Sequence, residues 1–281
     1  MEIVKNDFFI IGAPKCGTTT IHEVMARSGK FNLPSLKELH FFSYPEVADS
    51  YYSYEIKNNI CKTMNEYEQA FTNNQLPKVD NSPSYLYNHV SAKRIYEYNP
   101  NAQVIAILRE PVSRSLSHYL MDVRLGFIDL PFEEALEDRL FYKEYVLNSK
   151  YCEGLNVFEE QFGANFHVFL FEDLFIKSDL SELKRLGRVF DNESLFVSMN
   201  KFHANKFAAP RFKKILKKYR NCELCMDVFK WIPEGVKVLI KKVFYNSKNT
   251  DKPEMMAEKE LLKEVFKEDW QGVQLFLNRK L

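Results

Sequence analysis

The chain has 281 residues, of which 46% are hydrophobic, and its 39 basic and 38 acidic residues give a net charge of +1. This length and composition suffice for one large buried core, so we predict a single domain over 1–281. The balanced charge argues against nucleic-acid binding, and no apolar run approaches the roughly 20 residues that span a bilayer. We therefore expect a cytoplasmic protein without a transmembrane segment.

The first predicted strand, 7–12, leads through a glycine-containing loop into a predicted helix near 18–29. The loop reads Gly12-Ala13-Pro14-Lys15-Cys16-Gly17-Thr18-Thr19-Thr20. Glycines permit a tight turn and close approach of a ligand, and the amides that open a helix attract anions. An ATP or GTP loop would have lysine directly after the second glycine, whereas Thr18 stands there and the lysine is Lys15. The pattern predicts an anion site and makes a nucleotide kinase the weaker alternative.

A charged and aromatic segment, Lys37-Glu38-Leu39-His40-Phe41-Phe42, follows the first helix. In an extended segment Glu38 and His40 point the same way, so one can take a proton while the other orients a second substrate. The alternative is a charged turn that precedes an aromatic core segment.

A second predicted anion site follows the apolar run 103–108, which is typical of a buried parallel strand. Arg109 comes directly after it, at the strand end where open α/β sheets bind ligands. Pro111 suits the first turn of a helix near 111–126, on which Ser117 lies. We expect Arg109 and this hydroxyl to bind one phosphate, whereas Arg114 is equally compatible with a solvated helix face.

Further strands are predicted near 77–80 and 166–171, and helices fill the intervals. The helices are expected near 66–73, 89–98, 132–147, 150–163, 181–190, 210–230 and 256–277. Strands that alternate with helices imply an α/β fold with a central parallel sheet covered on both faces.

Several of these motifs resemble those of sulfotransferases that use 3′-phosphoadenosine 5′-phosphosulfate (PAPS), especially the heparan-sulfate-type and bacterial branch. The resemblance covers roughly 8–174 and rests on Pro-Lys-Cys-Gly-Thr-Thr-Thr, Lys-Glu-x-His-Phe-Phe, Arg-x-Pro-x-x-Arg-x-x-Ser-x-Tyr and the closing Phe171-Glu172-Asp173-Leu174. It implies the P-loop-like sulfotransferase fold, PAPS as the cofactor and 3′-phosphoadenosine 5′-phosphate (PAP) as its product. No acidic motif resembles a magnesium site, so we predict that no metal is required.

The resemblance also implies roles for individual residues. Glu38 would be the general base beside His40, and Lys15 would hold the 5′-phosphosulfate, which makes these three the predicted catalytic residues. Arg109 and Ser117 would hold the 3′-phosphate. The loop residues predicted to bind the cofactor are Pro14, Lys15, Cys16, Gly17, Thr18, Thr19 and Thr20.

Other positions match the family less well. Lys206 and Arg211 are candidates for cofactor contact, in a segment that only loosely resembles the cofactor-binding loop near the end of the family's domain. Asn81 stands where the family has a lysine, and Lys78 is a candidate to occupy the space of that lysine. The pair Cys222 and Cys225 lacks the two further ligands that zinc needs. We expect Cys16 to be a small neutral filler, with a redox role as the alternative because a helix N-terminus lowers thiol pKa.

The expected acceptor is a hydroxyl or amine of a small molecule. The acidic residues Asp122, Asp129 and Glu133, with aromatic residues crowded in 41–54, would suit a cationic natural product such as a saxitoxin-type alkaloid. A heparan-like glycan is the alternative acceptor, and a catalytically silent nucleotide-binding module is the alternative outside enzymes. Eukaryotic glycan sulfotransferases of this family usually carry a membrane anchor, so its absence favours a bacterial enzyme. The sequence does not predict the oligomeric state.

Overall fold

The computed structural model describes residues 7–49, 60–73, 75–199, 209–210, 231–233, 235–236, 245–246 and 253–280. Its centre is a four-stranded sheet in the order β2-β1-β3-β4, in which every neighbouring pair is parallel. The strands are β1 Phe8–Gly12, β2 Val79–Asn81, β3 Gln103–Leu108 and β4 Phe166–Leu170. The predicted parallel sheet is therefore confirmed, and β1 and β3 are buried because both of their faces are covered.

Helices cover the sheet on both faces. They are α1 Thr18–Ser28, α2 Met64–Gln69, α3 Val90–Tyr98, α4 Pro111–Leu125, α5 Phe132–Ala135, α6 Arg139–Tyr145, α7 Cys152–Phe162, α8 Leu180–Val189 and α9 Met256–Lys280. Single turns of 3-10 helix span Phe41–Ser43, Glu46–Asp49, Leu147–Ser149 and Gly163–Asn165, and a π-helical turn spans Glu172–Lys177. A short antiparallel pair joins β5 Ala209–Pro210 to β6 Tyr245–Asn246.

One helix prediction differs from the structure, and another falls almost entirely outside the described residues. The predicted helix 132–147 is interrupted, because the Asp138 side chain accepts hydrogen bonds from the amides of Leu140 and Phe141 and so caps a new helix. The predicted helix 210–230 lies outside the described residues except for Pro210, which belongs to β5.

A second apolar cluster lies beside the main core and joins α4, α5, α6 and α9. Its buried residues are Val112, Leu116, Tyr119, Leu120, Ile128, Phe132, Ala135, Phe141, Tyr145, Val146, Leu262 and Phe266. Within it the Tyr145 hydroxyl donates to Asp122 Oδ2 at 2.6 Å. The cluster holds α6 against α4, so these helices form one wall beside the carboxyl ends of the strands.

The long helix α9 also supports this wall. Its Asp269 accepts hydrogen bonds from the amides of Tyr151 and Cys152, at 2.8 and 3.2 Å, where α7 begins. The Tyr151 hydroxyl in turn donates to the backbone oxygen of Arg109 at 3.0 Å. Neither α9 nor another helix in the described ranges is long and apolar enough to cross a membrane.

Candidate active site

The loop between β1 and α1 has the geometry of an anion site. Gly17 has φ +86°, and a Cβ at this position would lie 2.4 Å from the Phe175 ring. Glycine is therefore required both by the turn and by the ring packed against it. The amides of Thr18 and Thr19 open α1 beside the loop, where they have no partner within the helix.

Lys15 lies in this loop, and no carboxylate of the described residues binds it. Its Nζ donates to Met121 Sδ on α4 at 3.0 Å, and no described acidic group forms an ion pair with it. Burial, reinforced by Arg124, lowers the pKa of Lys15 to about 8, although Asp122 partly opposes this effect. An anion beside this ammonium would restore its charged form.

Arg109 reaches the same loop from the end of β3, as predicted. Its Nη1 donates to the backbone oxygen of Lys15 at 3.4 Å, and its guanidinium lies 4.6 Å from the centre of the Phe171 ring. Its Nε is buried without a hydrogen-bond partner. A buried donor of this kind favours a bound acceptor. Ser117 is half-buried on α4, next in sequence to His118, which lines the cavity described below.

Arg114 is fully buried and is not a residue of a solvated face. Its Nε donates to the Pro14 oxygen at 3.2 Å, and its terminal nitrogens donate to Ser149 Oγ and His118 Nδ1, each at 3.0 Å. A further bond reaches the backbone oxygen of Glu144. The guanidinium therefore fixes the loop relative to the end of α6.

Glu38 and His40 lie together, as the sequence predicted. His40 Nε2 is 3.5 Å from Glu38 Oε2, and Lys37 forms an ion pair with the same carboxyl group. Burial alone would raise the pKa of Glu38, but Lys37, His40 and His22 outweigh it and lower the pKa. Glu38 is therefore ionised at neutral pH and able to accept a proton.

Hydrogen bonds to serines assign the proton of the His40 ring. The Ser43 hydroxyl donates its one proton to the His40 carbonyl at 3.0 Å, so in its hydrogen bond with Ser84 the Ser43 oxygen is the acceptor. The Ser84 hydroxyl therefore donates to Ser43 Oγ. Its oxygen accepts a hydrogen bond from His40 Nδ1 at 2.7 Å, so Nδ1 carries the ring proton. Burial lowers the pKa of His40, which keeps the ring neutral. Its Nε2 therefore presents a lone pair beside the Glu38 carboxylate, and the two acceptors can share one incoming proton.

A buried carboxylate supports the backbone under His40. Asp80 accepts hydrogen bonds from Ser82 at 2.6 Å and Tyr85 at 2.7 Å, and the Ser82 hydroxyl accepts from the His40 amide at 3.1 Å. His40 has φ +54°, a strained value for a residue with a side chain. The Asp80 network thus holds His40 in an unusual conformation that directs it towards Glu38.

Lys15, Glu38 and His40 line one cavity of about 440 Å³. It is lined by Pro14, Lys15, Thr18, Thr19, Leu36, Lys37, Glu38, His40, Pro83, Ser84, Tyr87, His118, Met121, Leu125, Phe127 and Glu144. The loop and the Glu38–His40 pair, far apart in sequence, are therefore brought together. An anion bound by Lys15 would face two proton acceptors.

Cys16, Gly17 and Thr20 belong to the predicted cofactor loop but do not line this cavity, so their contact with the cofactor stays a prediction. The Cys16 thiol is buried in the core, and burial raises its pKa to about 11, so Cys16 is a filler and the redox alternative is wrong. The Thr20 side chain is buried and Gly17 contacts Phe175, and neither of these residues lines the cavity. Lys78 forms an ion pair with Glu68 at the opposite end of β2 and does not fill the space of the family lysine.

The acidic residues predicted to attract the acceptor do not line this cavity. Asp122 is buried against Tyr145, while Asp129 and Glu133 are exposed and do not line the cavity. Glu144 is the acidic residue that the wall formed by α4 and α6 contributes to the cavity. The sequence did not predict it, because nothing in its local pattern distinguishes Glu144 from a solvated helix residue. Phe41 and Phe42 pack against Tyr67, at 5.0 and 5.1 Å between ring centres, and are structural.

Several predicted residues fall outside the described ranges. They are Lys206, Arg211, Cys222, Cys225, Tyr51, Tyr52 and Tyr54. Among the residues that the structure describes, no three His, Cys, Asp or Glu side chains are grouped as metal ligands. Metal independence stays a prediction.

Comparison with known proteins identifies a family. The model of the sulfotransferase domain matches residues 5–192, which is more than half of the chain. The membrane-associated sulfotransferase kil1 of Dictyostelium discoideum is 31% identical over 119 residues, which cover 42% of this chain and 23% of that protein. The match thus spans less than a quarter of the length of this curated relative.

One of the solved structures similar to this chain shows the shared fold. The sulfotransferase from Alicyclobacillus acidocaldarius is similar with a TM-score of 0.62 at 22% identity, over 82% of this chain and 98% of the other. A mouse sulfotransferase complexed with PAP is similar over 92% of this chain and 89% of the other, at 16% identity and a TM-score of 0.44.

Proposed function

This chain belongs to the sulfotransferase domain family, and from that premise we propose that it transfers a sulfuryl group from PAPS to a hydroxyl or amine of a small molecule. The observation that carries the proposal is the cavity shared by Lys15, Thr18 and Thr19 with Glu38 and His40. The cofactor fits the residues present, because among the described residues no carboxylate binds Lys15 and Arg109 Nε has no hydrogen-bond partner.

Each part of the loop has a role towards the bound cofactor. Lys15 and the amides that open α1 would hold the 5′-phosphosulfate and stabilise the charge that develops on the leaving phosphate. Arg109 would bind the 3′-phosphate, together with Ser117 on α4. When bound, PAPS supplies the sulfuryl group, whose sulfur bonds to the acceptor oxygen or nitrogen while its bond to the phosphate oxygen breaks.

The acceptor must lose a proton in this step. Glu38 is ionised and His40 Nε2 carries a lone pair 3.5 Å from it, so both face the position of the acceptor. We assign the base role to Glu38 and the orienting role to His40. The Lys37 ion pair keeps Glu38 ionised and the Ser84 hydrogen bond fixes the imidazole.

We propose a small molecule as the acceptor because the volume of the cavity is small. About 440 Å³ falls within the range of small-molecule sites. Two lysines, Lys15 and Lys37, line it, and Lys37 is paired with Glu38, so the cavity offers little positive charge to a polyanionic glycan. A saxitoxin-type alkaloid fits this size class, and so do simpler phenols and amines.

Binding and transfer test the proposal directly. Calorimetry should show that PAP binds far more tightly than AMP or ADP, because Arg109 and Ser117 contact the additional phosphate. Enzyme and PAPS added to a cell extract should yield a product that has gained one sulfuryl group, detected by mass spectrometry. Equal affinity for PAP and AMP would overturn the assignment.

Metal dependence separates this proposal from a nucleotide kinase. A transferred sulfuryl group carries less negative charge than a phosphoryl group, so EDTA should leave the activity unchanged. Transfer from ATP with strict magnesium dependence would instead support a kinase. PAP binding without any transfer would support a catalytically silent module.

A cytoplasmic location is proposed on the basis of the thiols. Cys16 and Cys61 are free and buried, and Cys152 is also free. Free thiols are typical of proteins in a reducing compartment. Fractionation of the native cells with an antibody against the chain tests this.

A further inference from the structure

The carboxyl group of Glu144 faces the cavity from a buried position. Glu144 is the penultimate residue of α6 and is only 3% exposed, yet it lines the cavity. Its Oε2 accepts a hydrogen bond from Asn148 Nδ2 at 3.2 Å. Its Oε1 has no hydrogen-bond partner among the described residues, and this atom remains accessible to solvent. The accessible part of this side chain therefore opens into the cavity.

No cation of the described residues neutralises this carboxylate. Arg114 donates to the backbone oxygen of Glu144 rather than to its side chain, and no Lys, Arg or His forms an ion pair with the carboxyl group. Burial raises the pKa of Glu144, although Arg114 and Lys143 partly oppose this. A buried carboxylate with one neutral donor is stabilised by a cation that enters the cavity.

The surroundings of Glu144 indicate how a ligand would lie. Tyr87 lines the same cavity as the two carboxylates, and the charges of Glu144 and Glu38 both add to the burial that raises the pKa of Tyr87. Apolar side chains of Met121, Leu125 and Phe127 line the same cavity. A molecule with an apolar body can therefore place a nucleophile at Glu38 and a cationic group at Glu144.

We infer that Glu144 binds an ammonium or guanidinium group of the acceptor, so that the natural substrate is a cationic hydroxyl or amine compound. The inference rests on the proposed function and adds the substrate class and the residue that selects it. It replaces the predicted acidic residues, since Asp122 is bonded to Tyr145 while Asp129 and Glu133 are exposed.

Matched phenols that differ in charge test the inference. Tyramine carries an ammonium group where 4-propylphenol has a methyl group, and 3-(4-hydroxyphenyl)propionate carries a carboxylate. Calorimetry with the enzyme loaded with PAP measures their binding without requiring turnover. Tyramine should bind about 10-fold more tightly than 4-propylphenol, the lower end of a charge-assisted hydrogen bond, and the propionate should bind most weakly.

Substitution of the carboxylate should remove this preference. In Glu144→Gln the ratio of tyramine to 4-propylphenol affinity should fall to about one, because an amide of the same shape carries no charge. Glu144→Asp should keep part of the ratio. Glu133→Gln is the matched control, since it removes an exposed carboxylate that does not line the cavity, and should keep the ratio of the unchanged protein.

The outcomes separate the two proposals. Equal affinities in the unchanged protein, no measurable tyramine binding, or a ratio that survives in Glu144→Gln overturns the role of Glu144. The first two outcomes are measured on the unchanged protein, so the inference can be overturned even if the Glu144→Gln protein does not fold. PAP binding is measured in the same experiment, and its absence would overturn the proposed function instead.

Discussion

The two ends of the cavity are built in different ways. The proposed donor end is lined by Pro14, Lys15, Thr18 and Thr19, which all come from the loop and the first turn of α1. The acceptor end combines side chains from separate segments, among them Tyr87, Met121 and Glu144. Local backbone geometry therefore defines the first end, and packing between α4 and α6 defines the second.

The ends also differ in the charge that they hold. Burial lowers the pKa of Lys15 at the donor end and raises that of Glu144 at the acceptor end, so each ionisable group is less charged than it would be in water. Glu38, in contrast, is compensated by Lys37 and remains ionised. In the proposed function the cavity thus binds an anion at Lys15 and a cation at Glu144, and Glu38 of the same cavity is the base.

The largest expected effect on turnover comes from substitution of Glu38, which lines the same cavity. Glu38→Gln should lower turnover about 10²–10⁴-fold, the usual contribution of a positioned base, because the amide cannot accept a proton. PAP affinity, measured by calorimetry, should stay unchanged. His40→Ala should be milder. If instead Glu38→Gln is active and His40→Ala is inactive, the lone pair on His40 Nε2 is the base.

The next effect isolates the donor end. Lys15→Ala should lower turnover about 10²–10³-fold, the scale seen when one preorganised group that stabilises charge is removed. Steady-state assays with PAPS measure it, and tyramine affinity should change little. Lys93→Ala, which removes an exposed lysine on α3, is the matched control. A loss of less than severalfold in a folded Lys15→Ala protein would remove the leaving-group role from Lys15.

A smaller effect concerns nucleotide choice. Arg109→Ala should reduce the preference for PAP over AMP by about 10- to 100-fold, because the half-buried guanidinium contributes charge-assisted hydrogen bonds. Calorimetry with both nucleotides measures the ratio, and exposed Arg27→Ala should leave it unchanged. A ratio that survives in Arg109→Ala would place the 3′-phosphate elsewhere.

The smallest effect is a pH dependence of the donor end. The pKa of Lys15 is about 8 in the free protein, so above pH 8 binding of PAP must first protonate the amine. PAP affinity should fall about 10-fold from pH 7 to pH 9, a range in which the phosphates are already ionised. Lys15→Arg should flatten this profile, because arginine stays charged. A flat profile in the unchanged protein would contradict the lowered pKa.

The sequence predicted the donor end better than the acceptor end, for a physical reason. Glycines, a strand end and a helix start act over a few residues, so the loop and Arg109 could be placed from their neighbours. In the sequence only their charge distinguishes Asp122, Asp129 and Glu133, and whether these side chains reach the cavity depends on long-range packing. Glu144 faces the cavity because Asp138 starts a new helix there, within a stretch predicted as one continuous helix.

Arg114 has a consequence for altering the acceptor by design. One guanidinium binds the Pro14 oxygen, the Glu144 backbone, Ser149 and His118, whereas a lysine offers only three donors and lacks the planar fork. Arg114 thereby fixes the distance between the loop that carries Lys15 and the end of α6 that carries Glu144. We expect substitutions at position 144 to alter the choice of acceptor without moving the loop, provided that Arg114 is retained.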